Sequence, residues 1–250
     1  MIKIAGPCAV EDANDTYRIA RELSVYDKSI ILRGGCWKPR TRPESFQGLG
    51  EIGVDILVGA YELYELQGCC LEVMDKKHLD YIAERYPDKN IILQIGSRNM
   101  QNFELLKAVN SYCNIYGNTV LLKRGFGNTV DEMCGARDYL QHDNVILCER
   151  GIRTLSDASR FTLDLSAIPV LQQKTGCRVI VDPSHAAGQR DLVSGLARAG
   201  IAAGADGLEI EVKAINAEKP RKCDENQALS IDNFYTLMYE CEQIDKLLKK

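Results

Sequence analysis

The amino-acid sequence predicts an α/β protein with a single domain, a closed (β/α)8 or TIM barrel. The chain has 250 residues, and eight-fold βα barrels typically have about 250. Eight short apolar runs alternate with helical patterns, and no linker or low-complexity segment interrupts the alternation. An open, doubly wound sheet is the alternative, but the first strand is not followed by the GxGxxG turn typical of that fold.

The apolar runs are rich in β-branched residues and lack polar alternation, as is typical of parallel strands buried on both faces. The predicted strands are residues 2–5, 30–32, 69–73, 90–95, 119–122, 144–148, 178–181 and 207–212.

Apolar residues at helical spacing predict the connecting helices. The predicted helices are residues 16–26, 49–66, 129–140, 156–173 and 192–203, one that Asp75 caps and Pro87 ends, one through Phe103, Leu106 and Val109, and a last one that Ser230 caps. Asp and Ser are preferred N-cap residues, and proline cannot continue a helix.

The composition excludes several classes of function. The net charge is −4 and no stretch is basic enough to follow a nucleic-acid backbone. No apolar run approaches the roughly 20 residues that span a bilayer, and Met1 leads directly into a strand-like segment. We therefore expect a cytoplasmic protein. The ten cysteines lack CxxC spacing, so we expect reduced thiols, mostly small core residues.

The second strand leads into an unusually basic loop. Residues 30–32 are followed by Arg33, two glycines, and then Lys38, Pro39, Arg40 and Thr41. A buried strand would fix this loop, and its cations and hydroxyl suit an anion. A solvated basic loop is the alternative, and the other strand ends decide between them.

All strands of such a barrel deliver their carboxyl ends to one face, where active sites lie. The residues at or after these ends are Cys8, Arg33 with Lys38, Glu72, Arg98, Lys123, Arg150, His185 and Glu211. Any one of them could be a solvated loop charge or a core cysteine. Together they predict a site for a polyanion.

The chemistry of these residues divides them into two groups. Arg33, Lys38, Arg98, Lys123 and Arg150 carry fixed positive charge and suit phosphate and carboxylate oxygens. Cys8, His185, Glu211 and possibly Asp224 suit a divalent transition metal such as Mn, Fe, Co or Zn. The other histidines, His78 and His142, are interpreted as surface residues.

The motifs at these positions resemble those of a known family. They are Gly6-Pro7-Cys8, Lys38-Pro39-Arg40-Thr41, and the segments 93–103 (LQIGSRNMQNF), 121–125 (LLKRG), 148–153 (CERGIR), 182–186 (DPSHA) and 210–212. The sequence resembles 3-deoxy-D-arabino-heptulosonate 7-phosphate (DAHP) synthase, in the short, barrel-only form that is close to 3-deoxy-D-manno-octulosonate 8-phosphate synthase. The resemblance covers nearly the whole chain.

The resemblance implies a metal-dependent TIM barrel that condenses phosphoenolpyruvate with erythrose 4-phosphate and opens the shikimate pathway. It assigns the phosphoenolpyruvate carboxylate to Arg33, Lys38 and Lys123, its phosphate to Arg98, Arg150 and the Ser97 backbone, and the sugar phosphate to Arg40 and Thr41. It assigns the metal to Cys8, His185, Glu211 and Asp224. Lys38, Cys8 and His185 are the expected catalytic residues, and the proton carrier is Lys38, His185 or a metal-bound water.

Two other functions stay open. The octulosonate synthase performs the same chemistry on arabinose 5-phosphate, but it usually has a longer segment than Lys38-Pro39-Arg40-Thr41. A non-catalytic phosphoenolpyruvate-binding barrel would require a lost ligand position, and all four are present. The sequence departs from the family pattern at Lys213 (usually His), at Cys36-Trp37 and at Gln189 (usually Arg).

The resemblance also implies a homodimer or homotetramer. The chain shows no added regulatory domain, so we expect no inhibition by tyrosine or phenylalanine.

Overall fold

The computed structural model describes residues 1–39, 42–214, 223 and 225–249. Nine strands are found among them: β1 (Ile2–Gly6), β2 (Ile31–Arg33), β3 (Gly68–Glu72), β4 (Ile91–Ile95), β5 (Val120–Lys123), β6 (Val145–Glu149), β7 (Arg178–Val181), β8 (Gly207–Lys213) and β9 (Leu229–Ser230). The first eight are the predicted strands, and no strand end differs from its prediction by more than one residue.

The eight strands close into a barrel. Each strand pairs in parallel with the next, and β1 also pairs with β8, where Ile2 lies opposite Gly207 and Gly6 lies opposite Glu211. The predicted (β/α)8 barrel is confirmed, and the open sheet is excluded because β1 and β8 are bonded to each other. The short strand β9 extends this arrangement by pairing with the end of β8.

The helices cover the outside of the barrel. They are α1 (Ala13–Tyr26), α2 (Glu51–Leu63), α3 (Lys76–Arg85), α4 (Phe103–Tyr116), α5 (Val130–Asp138), α6 (Ala167–Thr175), α7 (Pro183–Ala187), α8 (Arg190–Ala202) and α9 (Ile231–Leu248). Asp75 and Ser230 are the N-caps of α3 and α9, as predicted. In the part of the chain that the structure describes, no helix combines the length and the apolar character needed to cross a bilayer.

The predicted helix over residues 156–173 is wrong in its first half, because α6 begins only at Ala167. The preceding segment folds back on itself: Ile152 and Thr162 form an antiparallel bridge, and the hydroxyls of Thr154 and Thr162 lie 2.6 Å apart. The Ser156 backbone N–H donates to the Thr154 hydroxyl. Such short polar side chains compete with helical hydrogen bonds, and this competition overrides the apolar spacing.

Helix α7 and strand β9 were not predicted, since each is too short to show a period. The interpretation of His78 as a surface residue is also wrong. Its side chain is buried, stacks on Trp37 with ring centroids 3.8 Å apart, and accepts the Met74 N–H through Nδ1. His142 is partly exposed, so its interpretation is correct only in part.

The strands bury different residues on their two faces. A layer of apolar side chains fills the barrel interior: Ile4, Ile31, Cys70, Ile92, Leu121, Ile146, Cys148 and Ile180. A larger cluster, which includes Leu32, Leu93, Leu122 and Val181, packs between the strands and the helices. Burial on both faces explains why the strands appear in the sequence as continuous apolar runs.

Candidate active site

The inward-facing residues one step above the apolar layer are charged. Side chains alternate faces along a strand, so two residues after Ile31, Cys70, Leu121 and Ile180 come Arg33, Glu72, Lys123 and Asp182. All four are buried. The period of two therefore brings charge to the carboxyl end of the barrel while the layer below stays apolar.

Three of them, Arg33, Glu72 and Lys123, line a cavity of about 300 Å³. Seven of the predicted site residues line it: Arg33, Lys38, Ser97, Arg98, Lys123, Arg150 and His185. Glu72, one of the predicted strand-end residues, also lines it. The remaining lining residues were not predicted as site residues: Pro39, Arg42, Ser45, Gln94, Gly96, Phe126 and Arg160. The predicted Arg40, Thr41 and Asp224 lie outside the described residues.

Arg150 lies on a pair of stacked aromatic rings. The Phe126 and Phe161 rings are parallel, with centroids 5.0 Å apart, and the guanidinium carbon of Arg150 is 4.2 Å from the Phe161 centroid and 4.8 Å from that of Phe126. Arg98 approaches the Phe126 ring at 5.3 Å. The rings hold the Arg150 guanidinium plane by cation–π contact, which uses no N–H donor.

Cys8 reaches Lys38, a residue that lines the cavity, through a close approach of β1 to β2. Gly6 has φ +156°, and a Cβ at this position would lie 2.1 Å from the Arg33 carbonyl oxygen, so only glycine fits. Beyond it, Lys38 Nζ donates to the Cys8 carbonyl oxygen at 2.9 Å and contacts Cys8 Sγ at 3.2 Å. The predicted lysine and cysteine are therefore direct neighbours, and Cys223 Sγ lies 2.8 Å from Cys8 Sγ.

Cys8, His185 and Glu211 form a candidate metal centre, because their ligand atoms all lie within 4.8 Å of one another. The donor set fits a transition metal. Glu211 Oε2 accepts from Gln227 at 2.7 Å, whereas Glu211 Oε1 is buried and accepts no hydrogen bond from a described residue. An acceptor left open in this way, 3.3 Å from His185 Nε2, fits a cation between the two groups.

Asp182 orients the histidine of this centre. Its Oδ1 accepts the His185 backbone N–H, and its Oδ2 lies 2.6 Å from His185 Nδ1. A carboxylate on one ring nitrogen fixes the tautomer and leaves the other nitrogen for a metal. Burial tends to raise the pKa of Asp182, but His185 and Lys123 outweigh it and hold that pKa well below the ordinary value.

A buried ion network joins the two halves of the site. Arg33 contacts Glu209 at 3.4 Å and Glu211 at 3.2 Å, and Lys123 contacts Asp182 and Glu209, the latter at 2.8 Å. Burial lowers the pKa values of Arg33 and Lys123, but the carboxylates outweigh it and raise both. Both side chains are therefore cations across the physiological range.

Comparison with known proteins adds to this geometry. The sequence profile of the DAHP synthetase I family matches residues 1–250. The chain belongs to this family. It is 43% identical, over 246 residues, to the phospho-2-dehydro-3-deoxyheptonate aldolase of Thermotoga maritima, covering 96% of this chain and 69% of that protein. It is 27% identical to the 2-dehydro-3-deoxyphosphooctonate aldolase of Desulfosudis oleivorans, covering 95% of this chain and 88% of that one.

Solved structures of the DAHP synthetase I family have the same fold. The crystal structure of the Thermotoga maritima phospho-2-dehydro-3-deoxyheptonate aldolase superposes with a TM-score of 0.87 at 41% identity, covering 99% of this chain and 70% of that one. A truncated form of the Thermotoga maritima DAHP synthase gives a TM-score of 0.85 at 38% identity, with 99% and 87% covered. The family's reaction is the condensation of phosphoenolpyruvate with erythrose 4-phosphate, so this chain is a transferase that forms a carbon–carbon bond.

Sequence reasoning missed several residues of this site. Asp182 lies within the 182–186 motif and Gln227 lies three residues after the predicted ligand Asp224, but a carboxylate or amide that acts on a metal ligand has no spacing signal of its own. Phe126 and Phe161 are distant in sequence, and only the folded loops stack them. Glu209 alternates with Glu211 along β8, so its inward direction was readable, although its two cationic partners were not.

Proposed function

We propose that this chain condenses phosphoenolpyruvate with erythrose 4-phosphate to give DAHP and inorganic phosphate, with a divalent metal at its centre. The observation that supports this most is the cavity itself, because five predicted cations line it and His185 of the candidate metal centre opens into it. Phosphoenolpyruvate and erythrose 4-phosphate together carry one carboxylate and two phosphates. A buried cationic cavity can hold these groups together and offset their mutual repulsion.

The cations would divide between the two ends of phosphoenolpyruvate. Arg33 and Lys123 end β2 and β5, and Lys38 follows in the loop after β2. All three are buried and would hold the carboxylate. Arg98 and Arg150, fixed against Phe126, would hold the phosphate together with the Ser97 backbone. This division would place the enol carbons between the two groups, in the part of the cavity that faces His185.

The acceptor would bind at the outer part of the cavity. Arg40 and Thr41 would hold the phosphate of the sugar, and Arg42 and Ser45, which follow them directly, line the cavity. The short Lys38-Pro39-Arg40-Thr41 segment favours the four-carbon sugar. Lys213 contacts Glu225 at 3.9 Å, the residue that follows the proposed ligand Asp224 in the sequence, and it would influence either the metal or the acceptor.

Cys8, His185, Glu211 and Asp224 would hold the metal, whose ion would supply Lewis-acid polarisation of the aldehyde oxygen or of the attacking water. The chain's own residues would orient the reactants. C3 of phosphoenolpyruvate attacks the aldehyde carbon, water adds at C2, and the hemiketal phosphate loses inorganic phosphate by C–O cleavage. Lys38 would lie beside the reacting atoms and would carry the proton to the new hydroxyl, directly or through water. His185 would not, because Asp182 engages its Nδ1 and the metal would engage its Nε2.

Phosphate release tests the proposed reaction. The purified protein is assayed with phosphoenolpyruvate and either erythrose 4-phosphate or arabinose 5-phosphate, with Mn²⁺ added. We expect turnover with erythrose 4-phosphate and little with arabinose 5-phosphate. The reverse preference would identify an octulosonate phosphate synthase instead, and no turnover with either sugar would refute the proposal.

Removal of the metal tests its role. We expect Cys8→Ala to abolish metal-dependent turnover while circular dichroism and the melting temperature show a folded barrel, since Cys8 lies at the rim rather than in the interior layer. Cys177→Ala, a partly exposed cysteine far along the chain, is the matched control and should retain activity. Full wild-type activity in metal-stripped buffer would rule out a catalytic metal.

We further propose that the enzyme is a homodimer or homotetramer, as the family resemblance implies. Light scattering coupled to size exclusion would give the mass directly, and a monomer at micromolar concentration would contradict it.

A further inference from the structure

One carboxylate lies inside the barrel at the level of the apolar interior layer. Glu209 on β8 is the register partner of Ile4 on β1, and Ile4 belongs to the apolar interior layer. Glu209 is fully buried. Burying an unpaired carboxylate costs free energy. We therefore expect Glu209 to be paired with cations.

The partners are two of the cations proposed to hold the phosphoenolpyruvate carboxylate. Glu209 Oε2 accepts from Lys123 Nζ at 2.8 Å, and Glu209 Oε1 lies 3.4 Å from Arg33 Nε. Glu209 Oε1 accepts no hydrogen bond from a described residue, so its contact with Arg33 is electrostatic rather than a fixed hydrogen bond. Glu209 therefore offsets the positive charge of Arg33 but does not fix the position of its side chain.

Each cation also has a second carboxylate that can hold it in place. Arg33 contacts Glu211 at 3.2 Å, and Lys123 contacts Asp182. Those two carboxylates have other tasks, since Glu211 belongs to the candidate metal centre and Asp182 orients His185. Glu209 supplies a third negative charge that neither the metal nor the histidine requires.

We propose that Glu209 is a built-in counterion that weakens the binding of the substrate carboxylate to Arg33 and Lys123, and so sets the KM for phosphoenolpyruvate. This inference rests on the proposed function of the two cations. Glu209 does not contact the substrate in this proposal. It changes the electrostatic potential at Arg33 and Lys123, which do. Its negative charge repels the incoming carboxylate across the same two cations, which keeps the site from holding phosphoenolpyruvate, or the carboxylate of the product, too tightly.

Direct binding of phosphoenolpyruvate to the Mn²⁺-loaded enzyme tests the proposal by titration calorimetry. Glu209→Gln keeps the shape and an acceptor for Lys123 but removes the charge. We expect it to bind phosphoenolpyruvate roughly tenfold more tightly, which corresponds to about 1.4 kcal/mol, with a steeper loss of affinity as salt is added. In steady-state assays the KM for phosphoenolpyruvate should fall by more than kcat changes.

Two variants separate charge from position. Glu209→Asp keeps the charge but shortens the side chain, and we expect its affinity to stay within about twofold of wild type on the same electrostatic argument. Glu240→Gln removes a carboxylate from a partly exposed pair with Arg198 and should change nothing. Unchanged or weaker binding by a folded Glu209→Gln would overturn the proposal, as would a gain of affinity in Glu209→Asp equal to that in Glu209→Gln.

Two further outcomes are distinguishable. If Glu209→Gln does not fold, Glu209→Ser leaves room for water beside the two cations and should show the same tightening; failure of both to fold would make Glu209 a stability residue and overturn the proposal. If wild-type enzyme does not bind phosphoenolpyruvate at all, the proposed function fails. If wild-type enzyme binds phosphoenolpyruvate and Glu209→Gln binds it with the same affinity, only the counterion proposal is refuted.

Discussion

At the scale of single residues, the site depends on cations that are buried yet keep donors for a ligand. Arg150 is the clearest case: burial lowers its pKa from the ordinary value, but an arginine pKa starts so high that the side chain stays charged. It donates two long hydrogen bonds to carbonyl oxygens, those of Gly151 and His185, at 3.4 Å. The Phe126–Phe161 pair supplies the remaining support.

Arg150→Lys tests this arrangement. Lysine keeps the charge but cannot stack its plane on the rings or donate two parallel hydrogen bonds to a phosphate. We expect phosphoenolpyruvate to bind roughly 30- to 100-fold more weakly, the size of one lost charge-assisted hydrogen bond. Calorimetric titration measures it. Arg153→Lys is the control, because Arg153 is exposed and approaches the Phe126 ring at 5.7 Å; equal affinities for both variants would contradict the account.

At the scale of elements, the loop between β2 and α2 carries the cations of the Lys38-Pro39-Arg40-Thr41 segment. A contact outside the cavity stabilises this loop. Trp37 stacks on His78, which belongs to α3. Burial lowers the pKa of His78 to about 4, well under the ordinary value of about 6.5. The stack is therefore between two neutral rings at physiological pH.

This lowered pKa predicts a pH-dependent stability. Above pH 6.5 His78 is neutral in both states, but as the pH falls toward 4 the unfolded chain takes up a proton that the folded chain refuses. The free energy of unfolding should therefore fall through this window, by about 1–3 kcal/mol relative to His78→Phe, which stacks but does not titrate. Urea denaturation at several pH values between 7 and 4 measures the difference, and parallel curves for the two proteins would contradict it.

The elements also show what the sequence could predict. The strands were predictable because burial on both faces leaves a continuous apolar run, and α3 and α9 because a capping side chain precedes a periodic stripe. The segment before α6 was not, because Thr154, Ser156 and Thr162 bond to one another and to the backbone rather than follow the helical period. His78 was misjudged because its polar neighbours on α3 gave no sign that Trp37 would cover it.

At the scale of the whole molecule, the two ends of the barrel have different tasks. The carboxyl end carries the cavity, and the amino end is held by ion pairs: Lys3 on β1 contacts Asp27 after α1 at 2.7 Å and Glu242 on α9. Burial lowers the pKa of Lys3, but the two carboxylates outweigh it and raise that pKa. The ion pair between Lys3 and Glu242 thus links β1 to α9.

Lys3→Met should separate stability from activity. Removing the cation leaves two partly buried carboxylates facing each other, so we expect a loss of about 1–3 kcal/mol of unfolding free energy. The kcat/KM at 25 °C should stay the same, because the amino end of a barrel does not touch the substrates. Thermal melts and steady-state kinetics on the same preparation test both parts, and a large loss of kcat/KM in the folded variant would show that the two ends are coupled.

The site as a whole was predictable to the extent that parallel strands end at one rim. That rule alone brought Arg33, Lys123 and His185 together from distant parts of the sequence. The finer contacts were not predictable, because the sequence gives the face of a strand but not which side chains meet across the barrel. Glu209 on β8 and Asp182 after β7 both contact Lys123 of β5, across strands that are not adjacent in the barrel.

The central claim is that one rim holds a metal on one side and phosphoenolpyruvate on the other. A crystal grown with Mn²⁺ and phosphoenolpyruvate tests it in one experiment. We predict an anomalous difference peak bounded by Cys8 Sγ, His185 Nε2 and Glu211 Oε1, and a ligand whose carboxylate contacts Arg33 and Lys123 and whose phosphate contacts Arg98 and Arg150. A metal bound elsewhere, or a ligand that avoids those four cations, would contradict the account.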